Sequence, residues 1–216
     1  MTSYVGDTAD KCKLALFCDA SFAGDLKDSK STSGVILCIV GPHTFCFISW
    51  IVKKQGAVSH SSSEAEIISL EAGTRMEGLP VLNLWDKVTD IFHPTLQAHR
   101  EMLPDTCYPP DIQTLLDSDN VRQTVHDKRE ASMVILDAND AVIKMCVKGR
   151  SPNMRHVART HRIDLDWLFE RLLKDSAITM SYINTKQQLA DMFTKGSFTE
   201  VTWKTLLTLV QIGQQK

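Results

Sequence analysis

The chain lacks any apolar run approaching the roughly 20 residues needed to cross a bilayer, so no membrane-spanning helix is expected. Its opening residues, MTSYVGDTADK, have no apolar core of the signal-peptide kind, which points to an intracellular, cytoplasmic setting. No CxxC pair occurs among Cys12, Cys18, Cys38, Cys46, Cys107 and Cys146, and no Cys/His spacing suits a tetrahedral zinc site. Three of these cysteines lie in apolar strand-like runs, so free buried thiols fit better than a disulfide frame. There is no internal repeat. There is also no surplus of positive charge: the net charge is −2, against the usual footprint of a nucleic-acid binder.

What is present is an ordinary globular composition, with 216 residues, 43% hydrophobic and 23% charged. One sizeable core with an insertion accounts for that length. The charge is also unevenly placed. Between residues 141 and 163 stand Lys144, Lys148, Arg150, Arg155, Arg159 and Arg162, with His156 and His161 and no acid. A solvated basic face explains this, and so does a phosphate-binding surface.

Three apolar runs open the chain: KLALFCDA, STSGVILCIVG and HTFCFISWIV, the last two separated by the turn signal Gly41-Pro42. Short connections between such runs predict an antiparallel meander. Ser61, Ser62 and Ser63 then cap a helix carrying Ala65, Ile67, Ile68, Leu70 and Ala72, with a break expected near Gly78-Pro80. His60 beside these serines has the look of a base next to a nucleophile, but helix capping is the better account of the cluster. From 93 to 131 the periodicity dissolves, and this stretch reads as an insertion or flexible segment. SMVIL restores a strand, and DAVIKMCVK follows as a short helix. HVARTHRIDLDWLFERLLKD makes a longer helix with Ile163, Trp167, Leu168, Leu172 and Leu173 at helical spacing. AITMSYINT alternates as a strand, KQQLADMFTKG makes a helix ending at Gly196, and a last helix covers roughly 199–212. Five strands interleaved with helices give an α/β architecture, a mixed sheet flanked by helices.

Acids sit where these elements end. Asp19 closes LALFCDA, Glu66 lies in SHSSSEAEIISLEA, an Asp-rich turn occurs in LDANDAVIKM, and Asp191 lies in QQLADMFTKG. Carboxylates scattered in sequence but gathered in space are a way to hold divalent metal for phosphodiester chemistry.

Four blocks carry a specific resemblance: CDASFAGDLKDSKSTSGVILCI, ISWIVKKQGAVSHSSSEAEIISL, GRSPNMRHVARTHRID and TKQQLADMFTKG. In this order they resemble the ribonuclease H domain of copia-type retrotransposon polyproteins, across most of residues 14–198 outside the insertion. The resemblance implies a ribonuclease H-like domain over residues 1–216, with the insertion before its fourth strand. It implies hydrolysis of the RNA strand of RNA–DNA hybrids with two Mg²⁺ ions, for which Mn²⁺ substitutes. It also implies work beside an upstream reverse transcriptase inside a cytoplasmic virus-like particle.

Carried over residue by residue, the resemblance makes Asp19, Glu66 and Asp191 catalytic and metal-binding. Glu64 and Glu66 are about 200° apart around a helix and cannot both face one site. The unit EAEI selects Glu66 and leaves Glu64 as an exposed acid at the helix start. The third carboxylate departs from the family's pattern. An Asp-Asn pair belongs after the fourth strand, and here the order is Asp137-Ala138-Asn139-Asp140, with alanine where the metal ligand belongs. Three readings stay open: a disabled copy, a substitute supplied by Asp137 or Asp140, or Asp117 and the Asp119-Asn120 pair in LLDSDNVRQTV. Asp137 is taken as the fourth catalytic candidate.

Contacts to the nucleic-acid backbone are assigned to Lys53, Lys54, Arg155, His156, Arg159, His161 and Arg162, with little base specificity expected. Related enzymes use a mobile histidine for product release, a role that would fall to His156 or His161. Two other functions compete: a hybrid-binding module that has lost cleavage, and another nuclease or strand transferase on the same fold.

Overall fold

The computed structural model describes residues 2–92, 131–149 and 154–212. The expected insertion therefore lies outside the described residues except for its last position, as do Asp117, Asp119, Asn120 and Arg150.

The five strands are β1 (Lys13–Ser21), β2 (Thr32–Gly41), β3 (Thr44–Lys54), β4 (Met133–Asp137) and β5 (Ile178–Tyr182). Their order across the sheet is β3-β2-β1-β4-β5. β1, β2 and β3 pair antiparallel, while β4 runs parallel to β1 and β5 parallel to β4. This mixed sheet flanked by helices is the ribonuclease H-like fold.

The central strand β1 reads as an unbroken apolar run because both of its faces are covered. Leu14, Leu16 and Cys18 join Val35, Leu37, Ile67, Leu70 and Ile135 in one core cluster. Ala15 and Phe17 join Ile36, Cys38, Leu136, Leu189 and Leu206 on the other face. That is the strand's period of two read in three dimensions. A bulge between Leu37 and Cys38 pairs them with Ser49 and Phe47, leaving Ile48 as the extra residue on edge strand β3.

Helix α1 (Ser62–Gly73) starts where expected, with the Ser61 hydroxyl accepting the Glu64 N–H, a cap worth about 1 kcal/mol. The break expected near Gly78-Pro80 does not occur. A π turn over Thr74–Gly78 leads straight into α2 (Leu79–Phe92). The wider turn contains Met76, four residues before Pro80, whose carbonyl a proline ring would otherwise strike. Helix α3 (Asp140–Lys148) is capped by Asn139, which accepts from the Ala141 and Val142 N–H groups.

The single long helix expected from HVARTHRIDLDWLFERLLKD is two, α4 (Val157–His161) and α5 (Leu165–Lys174). Arg162 breaks it at a left-handed φ of 57°, and Asp164 recaps α5 by accepting the Trp167 N–H. The expected helix in KQQLADMFTKG shrinks to α6 (Asp191–Thr194), capped by Lys195 rather than Gly196. Gln188 is fully buried, and its side chain bonds to two strands, which holds the preceding residues in turns. Helix α7 (Glu200–Leu209) closes the described chain near its expected place. Among the described residues, no helix is long and apolar enough to cross a membrane. The described cysteines Cys12, Cys18, Cys38, Cys46 and Cys146 are free, and all but Cys46 are buried.

Candidate active site

Three elements converge at the end of the sheet where β1 finishes. Asp19 lies in the last part of β1, and its Oδ2 accepts from the Thr194 hydroxyl of α6. Asp191 begins α6 and receives the Lys195 ammonium on Oδ2. Glu66 comes from the first turns of α1. The Ser69 hydroxyl holds that helix against the sheet, reaching the Asp19 carbonyl at 2.7 Å and the Gly34 carbonyl at 3.3 Å. On the opposite face, α6 lies directly on β2. A Cβ at Gly34 would stand 2.6 Å from Thr194 Cγ2 and 3.1 Å from the Ala190 carbonyl oxygen, so glycine sets how closely Asp191 approaches Asp19.

The acids feel one another. Burial pushes the Glu66 carboxyl up to about 7; Asp19 and Asp191 add to this, while an Asn139 hydrogen bond and Lys195 oppose it. Burial pushes Asp137 to about 8, against a bond from the Asn139 N–H, with Glu66 and Asp19 adding repulsion. Asp191 rises to about 6, again by burial first and Asp19 after, with Lys195 opposing. Among the described residues, Glu66 Oε2, Asp137 Oδ2 and Asp191 Oδ1 are buried without a hydrogen-bond partner. Unpaired buried carboxylate oxygens are costly. A hard divalent cation that takes oxygen ligands answers that cost, so the donor set fits Mg²⁺. The Lys195 ammonium, bonded to Asp191, already offsets part of this negative charge.

Register separates Asp137 from Ala138. The parallel pairing of β1 with β4 runs to Phe17↔Leu136. Beyond that pair, Asp137 is the last residue of β4 and Ala138 follows it. Burial raises the Cys18 and Cys146 thiols and Asp137 adds to it, and both belong to the core cluster that includes α1 residues. Ala138 packs on the other cluster, with Met192 and Phe193. Asp137 thus shares the electrostatics of the acids while springing from the opposite pleat to Asp19.

Among the basic candidates, Lys53, Arg155, His156, Arg159 and Arg162 are exposed. Lys54 is held by Asp25 at 2.5 Å and Asp28 at 2.9 Å. Two expectations change. Glu64 is not an exposed helix-start acid: it is 1% exposed. His156 Nε2 lies 3.1 Å from its Oε2, and His161 Nε2 lies 3.3 Å from its Oε1. His161, expected on the nucleic-acid backbone, has a side chain only 2% exposed and turned inward to Glu64. Burial raises the Glu64 carboxyl, but hydrogen bonds from His60 and His156 outweigh it and leave the group below its ordinary range. Burial lowers His161, with Glu64 pulling the other way. Zinc-like spacing was absent from the sequence, yet among the described residues His60, Glu64 and His156 place ligand atoms within 4.8 Å of one another.

Thr194, Lys195, Gln188 and Asn139 were missed as site residues. The first three lie inside the block TKQQLADMFTKG, within four positions of Asp191, and that proximity was the available signal.

No family model matches the sequence. Over 67 residues the chain is 39% identical to secreted RxLR effector protein 161 of Plasmopara viticola, a stretch covering 31% of this chain and 44% of that protein. The match therefore spans less than half the length of this curated relative. Among solved structures, the chain is similar to LC11-RNase H1, isolated from compost by a metagenomic approach. That likeness has 9% identity and a TM-score of 0.40, over 84% of this chain and 91% of the other. It is also similar to the prototype foamy virus protease-reverse transcriptase, at 9% identity and a TM-score of 0.39, over 95% of this chain and 21% of that one.

Proposed function

We propose that this chain is a metal-dependent ribonuclease H that hydrolyses the RNA strand of RNA–DNA hybrids. The observation that carries this reading is the gathering of Asp19, Glu66, Asp137 and Asp191 at one end of the sheet. Three of them are raised toward neutrality or beyond by burial and mutual repulsion. Asp19, Glu66 and Asp191 would hold two Mg²⁺ ions, or Mn²⁺ in their place. Such ions supply an activated water and stabilise the leaving oxygen of a phosphodiester. The chain's own residues orient the ligands: Thr194 fixes Asp19 and Lys195 balances Asp191.

Lys53, Arg155, Arg159 and Arg162 would contact phosphates, with the hybrid recognised by its backbone shape and 2′-hydroxyls. The four copia-like blocks support a setting in reverse transcription, beside a reverse transcriptase.

A second reading is favoured by one observation. Ala138, not an acid, follows the end of β4 and packs on the face of the sheet that carries Met192 and Phe193 of α6. On that reading the chain binds hybrid and cuts it poorly.

The deciding experiment is cleavage and binding of an end-labelled RNA–DNA hybrid with Mg²⁺ or Mn²⁺, comparing the chain with Asp19→Asn. RNA-strand cleavage that disappears in Asp19→Asn supports the enzyme. Tight hybrid binding without cleavage supports the second reading. Neither binding nor cleavage by the folded chain rejects both.

A further inference from the structure

We infer that His60, Glu64 and His156 form a second metal site, one for a zinc-class divalent cation, on the side of α1 away from Glu66. Two imidazole nitrogens and a carboxylate oxygen are brought together from positions 60, 64 and 156, all within 4.8 Å. His156 Nε2 lies 3.1 Å and His60 Nδ1 3.4 Å from the same oxygen, Glu64 Oε2. Zinc bonds of about 2.0–2.1 Å in a tetrahedron require ligand–ligand separations of about 3.3 Å, so both edges already have the right length. The two imidazoles meet edge to face, with centroids 4.9 Å apart and planes at 90°. Their side chains are 69% and 43% exposed, free to make the small swing that closes the third edge.

A separate observation points the same way. The His161 side chain is 2% exposed, and its Nε2 lies 3.3 Å from Glu64 Oε1, the oxygen not shared with His60 and His156. Neither nitrogen of that ring has a well-formed hydrogen bond among the described residues. A buried imidazole behind the free oxygen of a ligating carboxylate is the arrangement that orients and strengthens a metal ligand.

The donor set selects the metal. Mg²⁺ takes oxygen ligands, whereas imidazole with carboxylate suits Zn²⁺ and its neighbours. Three protein ligands leave a fourth, solvent-facing position for water or a phosphate oxygen. The ion would also clamp the start of α1 to the segment preceding α4, which carries Arg155 and leads to Arg159. The site stands whether or not the chain cleaves hybrids.

The test is titration of the full, metal-free chain with Zn²⁺ by calorimetry, repeated in His60→Ala, His156→Ala, His161→Gln and Asp19→Asn. Co²⁺ serves as a spectroscopic stand-in. The expected result is one equivalent of Zn²⁺, retained in excess Mg²⁺ and in Asp19→Asn. Affinity should fall at least about tenfold in each histidine variant. The Co²⁺ spectrum should lack a thiolate charge-transfer band. His60 and His156 are surface residues whose loss should leave the fold intact, which circular dichroism checks. No Zn²⁺ uptake, uptake unchanged in both of those variants, or a thiolate band from the cysteines would each overturn the site.

Discussion

Gln188 donates its side-chain amide to the Cys18 carbonyl at 2.9 Å, joining residues 170 positions apart. The same amide reaches the Leu136 carbonyl at 3.3 Å, so one side chain ties β1 to β4 just where their pairing ends. Gln188→Leu removes these two hydrogen bonds and the one its carbonyl oxygen accepts from the Ala190 N–H, all in a fully buried place. The expected loss is about 1–3 kcal/mol, read as a lower urea midpoint at unchanged m-value. Because Asp191 follows three residues later, hybrid cleavage should fall further than hybrid binding. An unchanged midpoint would show that the amide is not holding the strands.

Gly34→Ala tests the seat of α6. The added methyl would meet Thr194 Cγ2 at 2.6 Å and the Ala190 carbonyl at 3.1 Å. Overpacking of this kind costs about 1–3 kcal/mol. Relief requires α6 to lift, which carries Asp191 and Thr194 away from Asp19. Metal-dependent activity should drop at least about tenfold at temperatures where circular dichroism shows the variant folded. Wild-type activity with a normal melting temperature would contradict this packing.

Strand-forming segments were legible because their signal is local: KLALFCDA and SMVIL are apolar, short and bounded, and both became central strands. Asp19, Glu66 and Asp191 were legible as candidates from motif blocks, and the fold brings them together. What stayed hidden depends on contacts across the chain. Glu64 looked like a solvent-facing capping acid because nothing near it in sequence reveals His156, 92 residues away. The helix over KQQLADMFTKG was overextended because a buried Gln188 bonding to two strands leaves no periodic trace. The break at Arg162 had a local cue in Asp164, a capping residue, which the longer apolar period masked.

Ala138→Asp would place a carboxylate just past the end of β4, on the face that carries Met192 and Phe193 of α6. If the gap there limits the chemistry, this variant should cleave the RNA strand at least about tenfold faster than the parent, with hybrid affinity little changed. If Asp137 already serves, the gain should be absent and Asp137→Asn should abolish cleavage instead. Single-turnover cleavage of a labelled hybrid distinguishes the two.

The acids also make stability depend on pH in a definite direction. Glu66, Asp137 and Asp191 hold their protons more tightly folded, at about 7, 8 and 6, than in an unfolded chain. A raised folded value stabilises fully below the unfolded one and is lost as pH rises through the folded one. The metal-free chain in EDTA should therefore melt lower at pH 8 than at pH 5.5, by at least about 3 °C. Saturating Mg²⁺ should remove most of that slope by neutralising the carboxylates, and Glu66→Gln should reduce it without metal. A melting temperature that rises with pH in EDTA would contradict the acid cluster.

Salt dependence distinguishes phosphate contacts from cations already committed within the protein. Arg155, Arg159 and Arg162 are exposed, whereas Lys54 is bound to Asp25 and Asp28. Each arginine that neutralises a phosphate releases counterions on binding, and its removal lowers the slope of log affinity against log salt by about 0.7–0.9. Arg155→Ala, Arg159→Ala and Arg162→Ala should each weaken hybrid binding equally across sequences and flatten that slope. Lys54→Ala should leave the slope unchanged, since its charge is spent on two nearby carboxylates. Fluorescence anisotropy of a labelled hybrid across a salt series reads all four. Arginine variants with the parental slope would move the duplex to another face of the molecule.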